Sequence, residues 1–271
     1  MAKAFTVASW NVEHFKNNPK RIDLVIEFLQ LQKPDVFGLL EVESSKVYDT
    51  IVTKMPDYQF HITEGQQTQE ILVGAKRNLT TFFTQKTEYK SGNTYLRPGA
   101  LLTVRMDDVD YPILFLHTKS SPAPIGLGLR DDMFQRAYKF KRFLDKVSQK
   151  AGKGPANFIF LGDLNTMGME YPYDRNISVE LELKRLDGRA KRADMYRLKK
   201  SQPFTWWNGP GAYPKSNLDH VVASEHMKFK QFGDAEIDVR GWVEQPTEAE
   251  QVKWINTYSD HSMVFFQIEK L

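Results

Sequence analysis

Six short apolar runs, each meeting a polar residue at its end, constrain this chain more than any other feature. Asn11 follows Trp10, Glu41 follows Leu40 and His117 follows Leu116. Asp163 and Asn165 follow Phe158-Ile159-Phe160-Leu161, Asp219 lies within Asn217-Leu218-Asp219-His220, and Asp260-His261 precedes the run that opens at Met263. Short runs rich in β-branched and aromatic residues, bounded by turn residues, read as buried strands. Polar residues at the ends of such strands are carried on rigid elements and can converge on one rim of a sheet.

The segments between these runs are amphipathic. Ile22, Val25, Ile26 and Leu29 recur at helical spacing within Arg21 to Gln32, and Pro34 stops that helix. Met133, Ala137, Phe140, Leu144 and Val147 form one apolar stripe on a helix expected over Asp131 to Gln149, preceded by a Pro/Gly-rich loop over Ser120 to Gly128. Further strands are expected at Phe5 to Trp10, Asp35 to Leu40, Ile71 to Ala75, Ala100 to Arg105, Ile113 to Leu116, Leu218 to Ala223 and Met263 to Ile268. Neither a repeat nor a low-complexity linker divides the chain, so its 271 residues are read as one domain over 1–271, an α/β or α+β sandwich.

Composition excludes several chemistries. With no cysteine, disulfides, thiolate nucleophiles and Cys-held zinc or iron–sulfur sites are ruled out, and any metal must be held by Asp, Glu, Asn or His. The first ten residues lack the apolar stretch of a signal peptide and no run of 18 apolar residues occurs, so a cytoplasmic protein with no membrane insertion is expected. Net charge is a mild +3, but Lys184, Arg185, Arg189, Lys191, Arg192, Arg197, Lys199 and Lys200 crowd one stretch against only Asp187 and Asp194. Such a cluster is either a solvated helix face or a track for a polyanion.

Each strand-end residue alone has an ordinary explanation as a cap or turn residue. Jointly they supply what metal-assisted attack of water on a phosphate ester needs: carboxylates to hold a cation, an Asp-x-Asn pair at one strand end, and a distant aspartate and histidine. Ser9-Trp10-Asn11-Val12, Pro34 to Glu41, Phe115-Leu116-His117-Thr118-Lys119, Gly162-Asp163-Leu164-Asn165, Leu218-Asp219-His220 and Ser259-Asp260-His261 together resemble, in order and spacing, the endonuclease/exonuclease/phosphatase superfamily that includes deoxyribonuclease I and abasic-site nucleases.

The resemblance spans nearly the whole chain and implies a four-layer α/β/β/α sandwich of two packed mixed sheets. It also implies Mg²⁺ or Mn²⁺, with Glu41 as the main metal ligand and Asn11 and Asp260 beside the metal. Asp163 and Asn165 would position the attacking water and a phosphate oxygen. His261 would be the catalytic histidine, oriented by Asp219, and His117 a second histidine facing the phosphate. Both His261 and Asp163 are eligible as general base; Asp163 is favoured, because a negative phosphate rewards contact with an imidazolium. Glu70, or Gln69 one residue earlier, is a candidate to orient His117, and Lys119, Arg97 and Arg130 are candidate phosphate contacts by charge and nearness to the motifs.

The substrate must be read from departures within the superfamily. Asn11-Val12-Glu13-His14 lacks the Asn-x-Asn-Gly of abasic-site nucleases, and Lys215 to His220 lacks the Pro-x-Trp-Cys-Asp-Arg element of inositol 5-phosphatases. Between Asp163 and Asp219 lie the basic cluster and then Phe204, Trp206, Trp207 and Tyr213, residues suited to neutralising phosphates and stacking on bases. A monomeric phosphodiesterase cutting DNA or RNA with little sequence specificity is expected. The alternatives are a phosphatase for a soluble or lipid phosphomonoester and a catalytically silent binding module, which would need a lost catalytic residue where none is missing.

Overall fold

The computed structural model describes residues 2–66, 69–211 and 213–270. The chain opens with strand β1 (Lys3–Phe15), helix α1 (Pro19–Gln32), strand β2 (Val36–Val42), helix α2 (Ser45–Lys54) and strands β3 (Tyr58–Ile62) and β4 (Glu70–Lys76). Then come β5 (Thr80–Lys86), β6 (Gly99–Met106), β7 (Val109–His117), helix α3 (Pro124–Lys150), β8 (Ile159–Asp163) and helix α4 (Val179–Lys191). The remainder is β9 (Met195–Arg197), β10 (Asp219–Ser224), β11 (Asp238–Arg240), helix α5 (Glu248–Thr257) and β12 (Met263–Glu269). They build two six-stranded sheets, ordered β11-β12-β1-β2-β4-β3 and β5-β6-β7-β8-β10-β9.

Period-two alternation explains the layering. In β1, Phe5 and Val7 enter the core between the sheets while Ala8 and Trp10 pack under the helices; in β8, Ile159 and Leu161 face inwards and Phe160 outwards. The inner core joins Val36, Leu40, Val73, Phe115, Val221 and Phe266 from both sheets. One outer core packs Ile22, Val25, Leu29, Val47 and Ile255 on the first sheet, and the other packs Met133, Phe134, Ala137, Leu186 and Ala190 on the second. The result is the helix–sheet–sheet–helix sandwich that the resemblance implied.

Each sheet has a parallel pair joined by a helix, β1–β2 through α1 and β7–β8 through α3, while every other neighbouring pair is antiparallel. Ligand sites in α/β sheets lie beyond the carboxyl ends of parallel strands. Here those ends carry Asn11, Glu41, His117 and Asp163.

Two local readings change. The helix after β7 starts at Pro124, seven residues before the expected start at Asp131, because a proline at the first helical position costs no hydrogen bond and Gly126 and Gly128 are carried inside it. Val147, expected in the core, is 49% exposed because α3 runs on past the sheet that covers its first half.

Candidate active site

Backbone pairing brings the motif residues to one rim. Asn11 is in register with Leu40, next to Glu41, and the parallel pair β7–β8 sets His117 opposite Asp163. The antiparallel pair β8–β10 sets Asp219 on the other side of Asp163. Gly162 permits this convergence: at φ 131° a side chain there would bring its Cβ within 2.1 Å of the Leu116 carbonyl oxygen. The last motif is fixed from the other sheet, where Trp10 Nε1 donates to the His261 carbonyl at 2.9 Å and Ser259 Oγ donates to the Asn11 carbonyl at 2.7 Å. Glu41 (φ 65°) and Asn165 (φ 48°) both hold the left-handed conformation unusual for residues with side chains, the kind of strain that collects at functional sites.

Asp163 is the hub. Its Oδ2 accepts from Asn11 Nδ2 at 3.0 Å and faces Nε2 of His117 at 3.5 Å and of His261 at 3.8 Å, and its Oδ1 accepts from the Asn165 backbone at 3.1 Å. His261 Nδ1 bonds Asp219 Oδ2 at 2.8 Å, which fixes the ring and turns Nε2 into the site. Asn11 ties Asp163 to Glu41, donating to Glu41 Oε1 at 3.2 Å, while its own oxygen accepts from the Glu13 backbone. The Asn11 amide therefore links two carboxylates by its nitrogen, not its oxygen. Asp260 Oδ2 accepts from Trp206 Nε1 at 2.7 Å, and its Oδ1 lies 3.9 Å from His261 Nε2.

The electrostatics separate the two histidines. Burial alone would depress His261, but the carboxylates of Asp219, Asp163 and Asp260 outweigh it and push its pKa well up, so the ring is an imidazolium. Burial holds His117 far below the usual histidine range, with Arg97 and His261 acting the same way, so this ring is neutral. Burial also raises the Asp163 carboxyl, with His261 opposing and Asp219 and Glu41 reinforcing. One cationic donor, one neutral imidazole and one carboxylate with raised basicity thus share a pocket, the set that acid–base chemistry on a phosphate requires.

Two other expectations meet different fates. Arg97 comes in: its charge acts on Glu41 and Asp163, and its Nε donates to the Gln69 carbonyl at 3.2 Å. Lys119 is half-buried near His117, its ammonium without a hydrogen bond or ion pair among the described residues. Arg130 does not reach the site. It is fully buried and spends all five N–H donors on Glu182 Oε1 and Oε2 and on the carbonyls of Lys119, Ser121 and Gly168, leaving none for a phosphate.

Neither proposed partner reaches His117, whose Nδ1 has no hydrogen bond among the described residues. Glu70 instead accepts from Thr63 Oγ1, and Gln69 donates to Glu41 Oε2 at 3.3 Å. The basic cluster also disperses. Arg197 pairs with Asp187 through two 2.8 Å contacts, Arg189 with Asp131 and Lys199 with Asp234, while Lys200 turns inward to Asn217 and the Asp219 carbonyl. Lys184, Arg185, Lys191 and Arg192 remain exposed. Of the aromatic residues, Trp207 is buried and Trp206 half-buried, as adjacency in an extended segment requires.

Sequence reasoning missed the groups around Glu41. His14 donates its backbone N–H to Glu41 Oε2 at 2.9 Å, and its ring Nδ1 lies 2.5 Å from Glu43 Oε1. The available signal was spacing: Glu43 follows Glu41 by two and His14 follows Asn11 by three. Glu13 is also used, accepting from the Asp260 backbone at 3.3 Å.

A divalent cation fits the donor set. Asp260 Oδ1 is buried with no hydrogen-bond partner among the described residues, and the Glu41 carboxylate lies near enough for its charge to act on Asp260. Oxygen-rich carboxylate sites of this kind suit a hard cation such as Mg²⁺ or Mn²⁺.

Comparison with known proteins agrees with this architecture. The sequence model described as Endonuclease/Exonuclease/phosphatase family matches residues 8–261. No curated protein matches the sequence. Truncated Caenorhabditis elegans TDP2 is similar in fold at 16% identity and TM-score 0.64, covering 98% of each chain. D. rerio TDP2, solved with a single strand DNA product, has 15% identity and TM-score 0.63 over 98% of this chain and 99% of that one. A mannosyl-6-phosphatase from Bacteroides thetaiotaomicron has 15% identity and TM-score 0.60, with the same coverage.

Proposed function

The chain belongs to the endonuclease/exonuclease/phosphatase family, whose members are hydrolases of phosphate esters, and on that premise we propose a divalent-metal-dependent phosphodiesterase that cuts single-stranded or locally opened nucleic acid. The observation carrying this reading is the aromatic pair at the mouth of the site. Trp206 rests its indole N–H on Asp260, and Tyr213, 63% exposed, meets it edge to face at 6.3 Å. Lys215 lies over the Trp207 and Trp242 rings at 4.5 and 5.3 Å and donates to Gln251, fastening this segment. A half-buried ring and an exposed one beside a phosphate site suit stacking on an unpaired base, and the single strand DNA product of the D. rerio relative accords with it.

Glu41 and Asp260 would hold the cation, which when bound supplies charge neutralisation at a phosphate oxygen. The chain's own residues do the rest. Asp163, made more basic by burial, accepts the proton of the attacking water, while Asn11 and Asn165 keep its two oxygens oriented. The His261 imidazolium, held by Asp219, and neutral His117 donate to the phosphate oxygens as negative charge shifts towards the leaving ester oxygen. Lys119 and Arg97 complete the positive wall.

The pairing of Arg189, Arg197 and Lys199 with acids favours a second reading, a phosphatase of a small phosphomonoester, because it leaves only Lys184, Arg185, Lys191 and Arg192 of the cluster exposed to track a long backbone. Supercoiled plasmid, single-stranded DNA and RNA, each incubated with Mg²⁺ or Mn²⁺, separate the two. The nuclease reading expects cleavage of the single strands that Asp163→Ala abolishes and His261→Ala slows by roughly 100-fold or more. Intact nucleic acid with phosphate release from sugar or inositol phosphates would replace it with the second reading, and inactivity on all of them would overturn both.

A further inference from the structure

Lys200 lies behind the strand end that carries Asp219. Its backbone is set by a parallel bridge to Ile237, reinforced by the Ser201 N–H donating to the Ile237 carbonyl at 2.8 Å. Its ammonium donates to the Asp219 carbonyl at 2.7 Å and to Asn217 Oδ1. Unlike Arg197 and Lys199 beside it, Lys200 makes no ion pair with a carboxylate among the described residues. Lys200 is half-buried, and with only neutral oxygens holding its ammonium, desolvation lowers its pKa to about 7, with the Asp219 charge opposing and Arg197 reinforcing. The other charge-bearing ring nearby, His220, is itself kept neutral by burial and by Lys200. The two contacts of Lys200 at the Asp219 strand end define the task it performs.

The task is legible from Asp219. Its backbone N–H is held by Thr205 Oγ1 at 3.0 Å, its Oδ2 by His261 at 2.8 Å, and its carbonyl by Lys200, whereas Oδ1 is buried with no hydrogen-bond partner among the described residues. Asp163, Glu41 and Asp260 share the same pocket, where the charges of Asp219 and Glu41 oppose ionisation of Asp163 and Asp260. We propose that Lys200 is a positioning residue for the Asp219–His261 pair: its ammonium clamps the strand end through the Asp219 carbonyl and Asn217 Oδ1, and so fixes the carboxylate that His261 Nδ1 bonds. The inference rests on the catalytic reading of that pair given above, and extends it.

The test compares Lys200→Met and Lys200→Arg by two measurements. With bis(4-nitrophenyl) phosphate and Mn²⁺, Lys200→Met lowers kcat roughly 10- to 100-fold with KM little changed, as for groups that orient a reacting residue from behind, and Lys200→Arg recovers most of it. Independently of turnover, the hydrogen-bonded Nδ1 proton of His261, observed by NMR, shifts in Lys200→Met and returns in Lys200→Arg. Should the methionine variant fail to fold, Lys200→Gln takes its place. An unmoved His261 proton in a folded neutral variant overturns the proposal whatever the activity. Wild-type inactivity with a shifted proton overturns only the phosphodiesterase reading.

Discussion

At Asp163 a carboxylate, two imidazoles and an amide meet within 3.8 Å, and no one of them needs an unusual intrinsic chemistry. Burial and neighbouring charge assign the roles, so His117 and His261 end in opposite protonation states from the same side chain. A similar contest fixes Asp35 at the opposite end of the strands. Burial would raise its carboxyl, but Lys3, Lys76 and Thr6 donate to it at 2.6 to 2.9 Å and bring it down to about 2. Because the folded value lies below the ordinary 3.8, its stabilisation is complete above pH 4 and is lost as pH falls through that window towards 2. Asp35→Asn should therefore lower the urea midpoint at pH 7 and flatten its decline between pH 4 and 2; a variant with the wild-type acid limb would contradict this.

At the scale of elements, the loops after β7 and β8 matter most, because they carry His117, Lys119, Asp163 and Asn165. Arg130 on α3 and Glu182 on α4 hold both loops at once: the guanidinium takes the Lys119, Ser121 and Gly168 carbonyls, and Glu182 Oε2 accepts the Gly168 N–H at 2.7 Å. Removing one partner leaves the other charge buried, so Arg130→Met should cost about 3–5 kcal/mol of unfolding free energy. Replacing both residues by apolar ones of similar volume should restore much of it. Denaturant unfolding of the single and double variants measures this, and additive losses would show that the pair is not coupled.

At the scale of the whole molecule, two sheets are pressed together so that one rim from each faces the same pocket, and the proposed cation would be held there by Glu41 and Asp260 on the rim of the first sheet. Mn²⁺ at 100 times its dissociation constant should then raise stability by about 2.7 kcal/mol, read as a rise in Tm that Glu41→Ala abolishes. Equal shifts in both proteins would remove Glu41 from the metal site. By itself the sequence determined the strands of β1, β2, β4, β6, β7, β8, β10 and β12, the layered class and the rim residues, because apolar runs and their terminal polar residues are local signals. Short edge strands such as β9 and β11 left no such signal, since three residues carry too little pattern. Only the tertiary structure decided how charged side chains are spent. Arg130 read in sequence as a candidate phosphate contact and Lys200 as part of the basic cluster, yet one locks two loops from inside and the other sits behind Asp219, because burial and partnership depend on residues 52 and 19 positions away. Charge is written in the chain; whether it meets solvent, substrate or another charge is settled when distant segments pack.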